Sequence, residues 1–349
     1  MRRIVVNGAI HDHGVSGSSR ATTELTRALS DLPDTEVREV RPPGHRHGSS
    51  LRNAVRDSAW DLWGAPGQSG SADLLVSPCN FGRRGSARRH LLVVYDTMIY
   101  DSPEYFDRKF AAYFRAMLPV SIRTADRVLT LSEHARTVLL GRFPQADIRV
   151  ITLPAARLPG STVSWPELLT VLMVGATHPI KNHVAGVAAV QSLRLTSGLD
   201  VKLRLVGPPG AAEPAVAAAV EKADPAGSWI TRDQHLSDDE LGAAYSNAWV
   251  LLQPSIDEGF GLPLVEAAQF GLPVVHSGRG GMPSVLGRSD AHGCTAEALS
   301  APLTALLARD AWQEQADWTK QEAHRFTTAN FVVQVRDLVS DLLPSVGVR

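Results

Sequence analysis

Cysteine is nearly absent from this 349-residue chain: Cys79 and Cys294 are the only two. Their separation fits neither a disulfide framework nor the paired spacing of a zinc site. A reducing cytoplasm is the expected setting. An excess of one charge is missing as well. The 35 Lys and Arg nearly balance 36 Asp and Glu, for a net charge of −1. That balance argues against a nucleic-acid-binding protein, which usually carries a basic surplus. No apolar run reaches membrane-spanning length. The run inside Met1-Arg-Arg-Ile-Val-Val-Asn7 is too short for a signal peptide and reads as a first strand. No short-period repeat is present, and low-complexity sequence is confined to the Ala-rich piece 211–220, read as helix. His11 and His13 have no carboxylate or cysteine cluster to complete a metal site, so they read as solvated loop residues.

What is present is enough apolar material, 44% of the residues, for cores in two domains of ordinary size. Short apolar strands alternate with helices along the whole chain. Ile4–Asn7, 36–40, 73–77, 90–96, 125–132 and 149–152 read as the first set of strands. The segment 153–162, rich in Pro, Gly and small residues, reads as a linker. A second set follows at 168–175, 201–207, 228–231, 249–254 and 272–276. This pattern predicts an α/β chain of two doubly wound parallel sheets, with ligand loops at the carboxyl ends of the strands. Two helices are expected near the end, at about 296–308 and 331–343. A helix after Asp101-Ser-Pro-Glu-Tyr-Phe106 is expected to end near Met117. Ser132 reads as an N-cap, and Ser237 with Glu240 as a capping box that assigns Asp238, Asp239 and Glu240 to a helix end.

The chemistry concentrates in Glu258-Gly-Phe-Gly-Leu-Pro-Leu-Val-Glu266. An apolar strand precedes it and a helical pattern follows, with Gly271 as the stop signal. Gly259 and Gly261 permit a sharp turn, and Pro263 suits a first helical turn. Such a turn aims unpaired N–H groups at one point, fit for a phosphate or sugar oxygen. Glu266, near the helix start, is placed to accept from a ribose diol, and Glu258 to reach hydroxyls on the rest of the ligand. The bland alternative is a glycine-turned loop with one capping and one solvated glutamate. Gly14 and Gly17, between the first strand and a helix from about residue 21, read either as a ligand cradle or as plain turn glycines. They do not form the dinucleotide fingerprint, which needs a third glycine and a later acid. The basic run Arg83, Arg84, Arg88 and Arg89 reads as a solvated loop, or as a patch facing an anionic acceptor or an acidic membrane surface.

Two glutamates around Gly-Phe-Gly-Leu-Pro resemble the signature of the family 4 retaining glycosyltransferases of the GT-B fold. Three further segments carry the likeness: Ala176-Thr-His-Pro-Ile-Lys-Asn182, the strand ending at Tyr95-Asp96 with Ala125-Asp-Arg-Val128 and Ser132-Glu133, and Leu236-Ser-Asp-Asp-Glu-Leu241. The resemblance implies two Rossmann-like domains facing a cleft: 1–158 on the acceptor side, 159–330 for the nucleotide sugar, and 331–349 as a helix crossing back. It implies transfer of a hexose or deoxyhexose from a UDP-, GDP- or dTDP-sugar to a hydroxyl of a glycan, lipid-linked or small-molecule acceptor. The leaving phosphate oxygen itself takes the acceptor proton in that scheme. Glu258, Lys181 and Asp96 are then the candidate catalytic residues. Glu266, Gly259, Phe260, Gly261, Leu262, Gly14, Gly17 and Tyr95 would hold the donor. No metal and no other cofactor are expected, since no Asp-x-Asp is placed for a metal-bound diphosphate. A cytoplasmic enzyme, or one at the inner face of the membrane, is implied. Three positions depart from the pattern: Tyr95 where the family has His, Ile180 where it has a diphosphate-binding Arg, and Ser284 where Glu is frequent. Arg20 and Arg279 are candidates to replace the missing guanidinium. The competing functions are a nucleotide-sugar epimerase of the same shape and a non-catalytic nucleotide-sugar or glycan-binding relative.

Overall fold

The computed structural model describes residues 1–13, 17–43, 56–78, 80–287 and 293–343. Gly14 and Cys79, both singled out above, lie outside the described residues. The chain divides into two compact units, Met1–Pro154 with Thr328–Arg349, and Ala155–Thr327.

The first unit holds a six-stranded, all-parallel sheet in the order β2-β1-β3-β4-β5-β6. Its strands are β1 Arg2–Asn7, β2 Thr35–Val40, β3 Leu74–Ser77, β4 Arg89–Val93, β5 Arg127–Thr130 and β6 Ile148–Val150. β3 is buried at every position and β4 at all but its first, Arg89, as expected of parallel strands covered on both faces. Order reverses between β1 and β3, so the crevice at their carboxyl ends is a topological switch point. The helix Thr328–Leu342 belongs to this unit. Arg127 fixes it there, donating to Asp341 (3.0 Å) and to Asp147 (2.7 Å), while Gln334 Oε1 accepts from the Thr152 N–H.

The second unit holds a five-stranded parallel sheet in the order β11-β10-β7-β8-β9. These are β7 Thr170–Val174, β8 Lys202–Val206, β9 Ile230–Asp233, β10 Val250–Gln253 and β11 Val274–His276. Its switch point falls between β7 and β10, which pair Val250 with Val171 and Leu251 with Leu172. Buried Trp249 and Trp312 anchor the core, the Trp312 indole N–H donating to the Trp249 carbonyl at 2.7 Å.

Ser132 accepts from the Ala135 N–H as an N-cap, and Ser237 with Glu240 completes the capping box. Two helix expectations are corrected. The helix expected to stop near Met117 runs Arg108–Thr124, straight through Pro119. Phe114, Leu118, Ser121 and Ile122 carry one buried face across the proline, and that burial outweighs a single lost N–H. The chain after residue 295 forms three helices among the described residues, not two: Ala296–Ala305, Arg309–Glu322 and Thr328–Leu342. The middle one gives a weak signal because charged and amide residues fill most of it, and its buried stripe is only Trp312, Ala316 and Thr319.

Candidate active site

The switch point of the second sheet positions two of the predicted side chains. The loop leaving β7 enters a tight turn, Pro179–Lys181, and Asn182 takes a left-handed conformation (φ 54°) before the helix His183–Ser197. The loop leaving β10 carries Glu258. Main chain joins the two loops, the Ile256 N–H donating to the Ile180 carbonyl at 2.8 Å. The Asn182 amide donates to the carbonyls of Pro254 (3.2 Å) and Cys294 (2.8 Å). Held this way, Lys181 Nζ meets Glu258 Oε2 at 2.5 Å, an ion pair between residues 77 apart in sequence.

Gln253 Nε2 (3.2 Å) and Ser255 Oγ (3.3 Å) donate to the same carboxylate oxygen, and the Glu258 N–H donates to Asp257 Oδ1 at 2.8 Å. Glu258 is therefore buried and oriented from three sides. From above, the loop after β11 closes down, the Gly281 N–H donating to the Glu258 carbonyl at 2.6 Å. Gly280 makes this approach possible. It lies at φ +60°, and a Cβ there would overlap Asp257 and the main chain of Glu258. Neighbouring histidines stay neutral at pH 7. His183 is pushed down to about 4, by burial first and by the Lys181 charge second, and His178 is lowered for the same two reasons. Lys181 thus supplies the positive charge of this turn.

In the signature itself Gly261 adopts φ +84° as the N-cap of the helix Leu262–Phe270, while Gly259 keeps a negative φ. Gly259 and Phe260 are buried, and Leu262 is half-buried. The N–H groups of Phe260, Gly261 and Leu262 donate to no described residue, so this turn presents open donors next to a lysine. Glu266 lies one turn into the helix, buried, its Oε2 accepting from the Tyr245 hydroxyl at 2.7 Å. Tyr245 in turn stacks on Phe270, with ring centroids 5.5 Å apart. Arg279 is exposed on the β11 loop, between Gly278 and Gly280.

The remaining candidates belong to the first unit. Tyr95 is buried after β4, with its hydroxyl 2.7 Å from Thr22 Oγ1 and its N–H donating to Asn80 Oδ1 at 3.0 Å. Asp96 is half-buried and accepts from the Met98 N–H at 3.3 Å. Gly17 is the exposed first residue of the helix Gly17–Ser30.

Several residues escaped the sequence reading. Gln253 and Ser255 had one faint signal, a glutamine closing an apolar strand. Asp61 had none. It sits in a π-helical turn, Trp60–Gly64, at the switch point of the first sheet, where the Asn7 amide donates to it at 2.8 Å. Burial pushes its carboxyl up to about 7, the Asn7 hydrogen bond opposing and the nearby Asp57 charge adding. Among the described residues no three His, Cys, Asp or Glu side chains group to hold a metal ion, and no helix is long and apolar enough to cross a membrane.

The chain resembles known glycosyltransferases in sequence and in fold. The family described as "Family 4 Glycosyltransferase in conflict systems" matches residues 122–339. The chain is 28% identical over 259 residues to the O-antigen chain mannosyltransferase B of Escherichia coli, covering 70% of this chain and 68% of that one. Among solved structures it resembles the sucrose-phosphate synthase of Thermosynechococcus elongatus, with a TM-score of 0.76 at 17% identity over 98% of this chain and 99% of that one. It also resembles Anabaena HepE, solved with UDP and glucose, with a TM-score of 0.70 at 14% identity over 98% of this chain and 100% of that one. The two parallel sheets are those of a GT-B fold.

Proposed function

This chain belongs to the family 4 glycosyltransferases, and from that premise we propose that it moves a hexose from a nucleotide-sugar donor to a hydroxyl acceptor with retention of configuration. The observation that carries the reading is the Lys181–Glu258 pair beside the open N–H groups of Phe260, Gly261 and Leu262. A departing nucleoside diphosphate gains negative charge as the glycosidic bond breaks. The ammonium and the N–H groups stabilise that charge, and being fixed beforehand they need no reorganisation during the reaction. In this reading Lys181 exchanges part of its contact with Glu258 for the phosphate, and the Glu258 carboxylate orients the sugar and supports its developing positive charge. The leaving oxygen takes the acceptor proton on the same face, so no separate base is required. Glu266 receives the ribose diol, held in its rotamer by Tyr245. Arg279, on the loop that covers Glu258, supplies a second cation to the diphosphate where Ile180 is buried and apolar.

Mannose is the first sugar to test, since the mannosyltransferase of E. coli O-antigen chains is a relative over two thirds of both chains. The acceptor is proposed to be a growing glycan. A metal is not required in this scheme. The test is to incubate the protein with GDP-mannose, UDP-glucose and their relatives, with a mannosyl acceptor and with EDTA, and to read the anomeric configuration of the product by NMR. An α-linked product from an α-linked donor, unaffected by EDTA, supports the reading; an inverted product contradicts it. A second reading, a donor-binding protein without turnover, is favoured by the buried Ile180 alone. Tight donor binding in calorimetry with neither transfer nor hydrolysis would establish it.

A further inference from the structure

The crevice at the switch point of the first sheet holds a polar cluster that the proposed reaction leaves unused. Asn7 ends β1, and its amide donates to Asp61 Oδ1 at 2.8 Å. The proton of a neutral carboxyl here therefore resides on Oδ2. Asp61 is 8% exposed, and among the described residues no group pairs with Oδ2. A buried polar group without a partner is costly in a fold, so one beside a crevice calls for a ligand to complete it. The π-helical turn Trp60–Gly64 holds it there, a local geometry frequent at functional sites.

Tyr113, on the helix Arg108–Thr124, borders the same cluster. Its hydroxyl is hydrogen-bonded to Ser58, which lies one turn before Asp61. Burial raises the Tyr113 pKa, the Ser58 bond opposing and the charges of Asp61 and Asp57 adding. Its ring meets Phe81 edge to face, with centroids 5.1 Å apart. Among the described residues no cation acts on Asp61 or on Tyr113. Arg56 lies against Asp57 at 3.8 Å, and His11, on the turn after β1, against Glu39 at 3.9 Å.

We propose that Asn7, Ser58, Asp61 and Tyr113 form a subsite for a neutral sugar ring of the acceptor, with Asp61 Oδ2 hydrogen-bonded to one of its oxygens. Calling that sugar the acceptor rests on the transferase reading; the site itself does not. A sugar ring offers hydroxyls that both donate and accept, and carries no charge to be desolvated. Amide, hydroxyl and carboxyl groups beside the faces of aromatic rings match it. A phosphorylated group would instead meet Asp57 and a buried carboxyl where it needs cations. Burial keeps Asp61 neutral up to about pH 7, and above that value the free oxygen loses the proton it donates. The subsite is thus complete in acid and weakened as pH rises through neutrality.

Calorimetry without any donor tests this, with α-linked mannotriose, maltotriose and chitotriose as neutral probes and mannose 6-phosphate as the charged one. At pH 6 at least one neutral trisaccharide is expected to bind, and mannose 6-phosphate is not. From pH 6 to pH 8 the wild-type affinity for that trisaccharide is expected to fall about tenfold, as the neutral share of a group titrating at about 7 falls. Asp61→Asn keeps the acceptor for Asn7 and puts an N–H in place of the Oδ2 proton, and its affinity is expected to be the same at both values. Tyr113→Phe keeps the ring against Phe81 and is expected to bind about three- to tenfold more weakly, the worth of one neutral hydrogen bond. Absence of neutral trisaccharide binding at pH 6 overturns the proposal, as does tighter binding of mannose 6-phosphate. So does an equal fall with pH in wild type and Asp61→Asn, or full affinity in Tyr113→Phe. A chain that binds the trisaccharide in this way and transfers nothing loses the transferase reading and keeps the site. Transfer to a glycan whose affinity ignores both pH and the variants removes the site alone.

Discussion

Both units place a crevice at the switch point of a parallel sheet, and the two crevices differ in chemistry. In the first unit the crevice between β1 and β3 is fastened by Asn7, whose Oδ1 accepts from the Trp60 indole (2.8 Å) and the Ala9 N–H (3.2 Å) while its amide donates to Asp61. No described cation pairs with that carboxyl, and burial holds it protonated up to about pH 7. In the second unit the crevice between β7 and β10 holds Glu258 against Lys181 at 2.5 Å, with Gln253 and Ser255 on the same oxygen. A buried carboxylate stays charged where a cation and several donors face it, and otherwise takes up a proton. The pleated frame is common to both units; the partners supplied from distant sequence decide which crevice can stabilise a charged ligand.

The sharpest way to break the comparison is Asp61→Asn, which keeps the acceptor for Asn7 and removes the ionisation. The folded chain holds a proton on Asp61 that the unfolded chain releases above about 3.8. The stabilisation from this group is thus complete below that value and is lost as pH rises through about 7. The variant is expected to match wild type near pH 4 and to exceed it at pH 8 by about 4 kcal/mol, one pKa unit being worth about 1.4. Thermal unfolding at both values checks it, and an equal offset at the two would show that Asp61 is already ionised in the fold. His90 and His183, each pushed down to about 4 by burial, work in the opposite direction, losing their contribution as pH falls from 6.5. They are present in both proteins and cancel in the difference.

Lys181→Ala addresses the charged crevice. It leaves Glu258 without its cation and the diphosphate without its nearest one, and kcat is expected to fall about 10²- to 10³-fold. A loss confined to KM would place Lys181 in uniform donor binding instead. Smaller again is Glu266→Ala, expected to weaken donor binding by about 1.5–3 kcal/mol, the worth of a charge-assisted hydrogen bond. Calorimetry measures it, and unchanged affinity would remove Glu266 from the ribose site.

Much of this was legible in the chain because the signals are local. The capping box at Ser237, the N-cap at Ser132 and the left-handed Gly261 before a proline-started helix are each read within a few residues. The glutamate signature is equally compact. What escaped was non-local or masked by composition. Asp61 becomes unusual only through its burial in a crevice built with Asn7, 54 residues earlier, and Gln253 and Ser255 matter only through the rotamer of Glu258. The helix Arg309–Glu322 hid its buried stripe in polar sequence, and the helix expected to end near Met117 continues to Thr124 because its buried face does.

Gly280 has an evolutionary consequence. Because nothing larger than hydrogen fits against Asp257 and the Glu258 peptide, a lineage cannot exchange that glycine without rebuilding the acidic loop beneath it. Positions 257, 258 and 280 should therefore drift together or stand still, and a descendant that has abandoned sugar transfer ought to betray itself first by a side chain at 280.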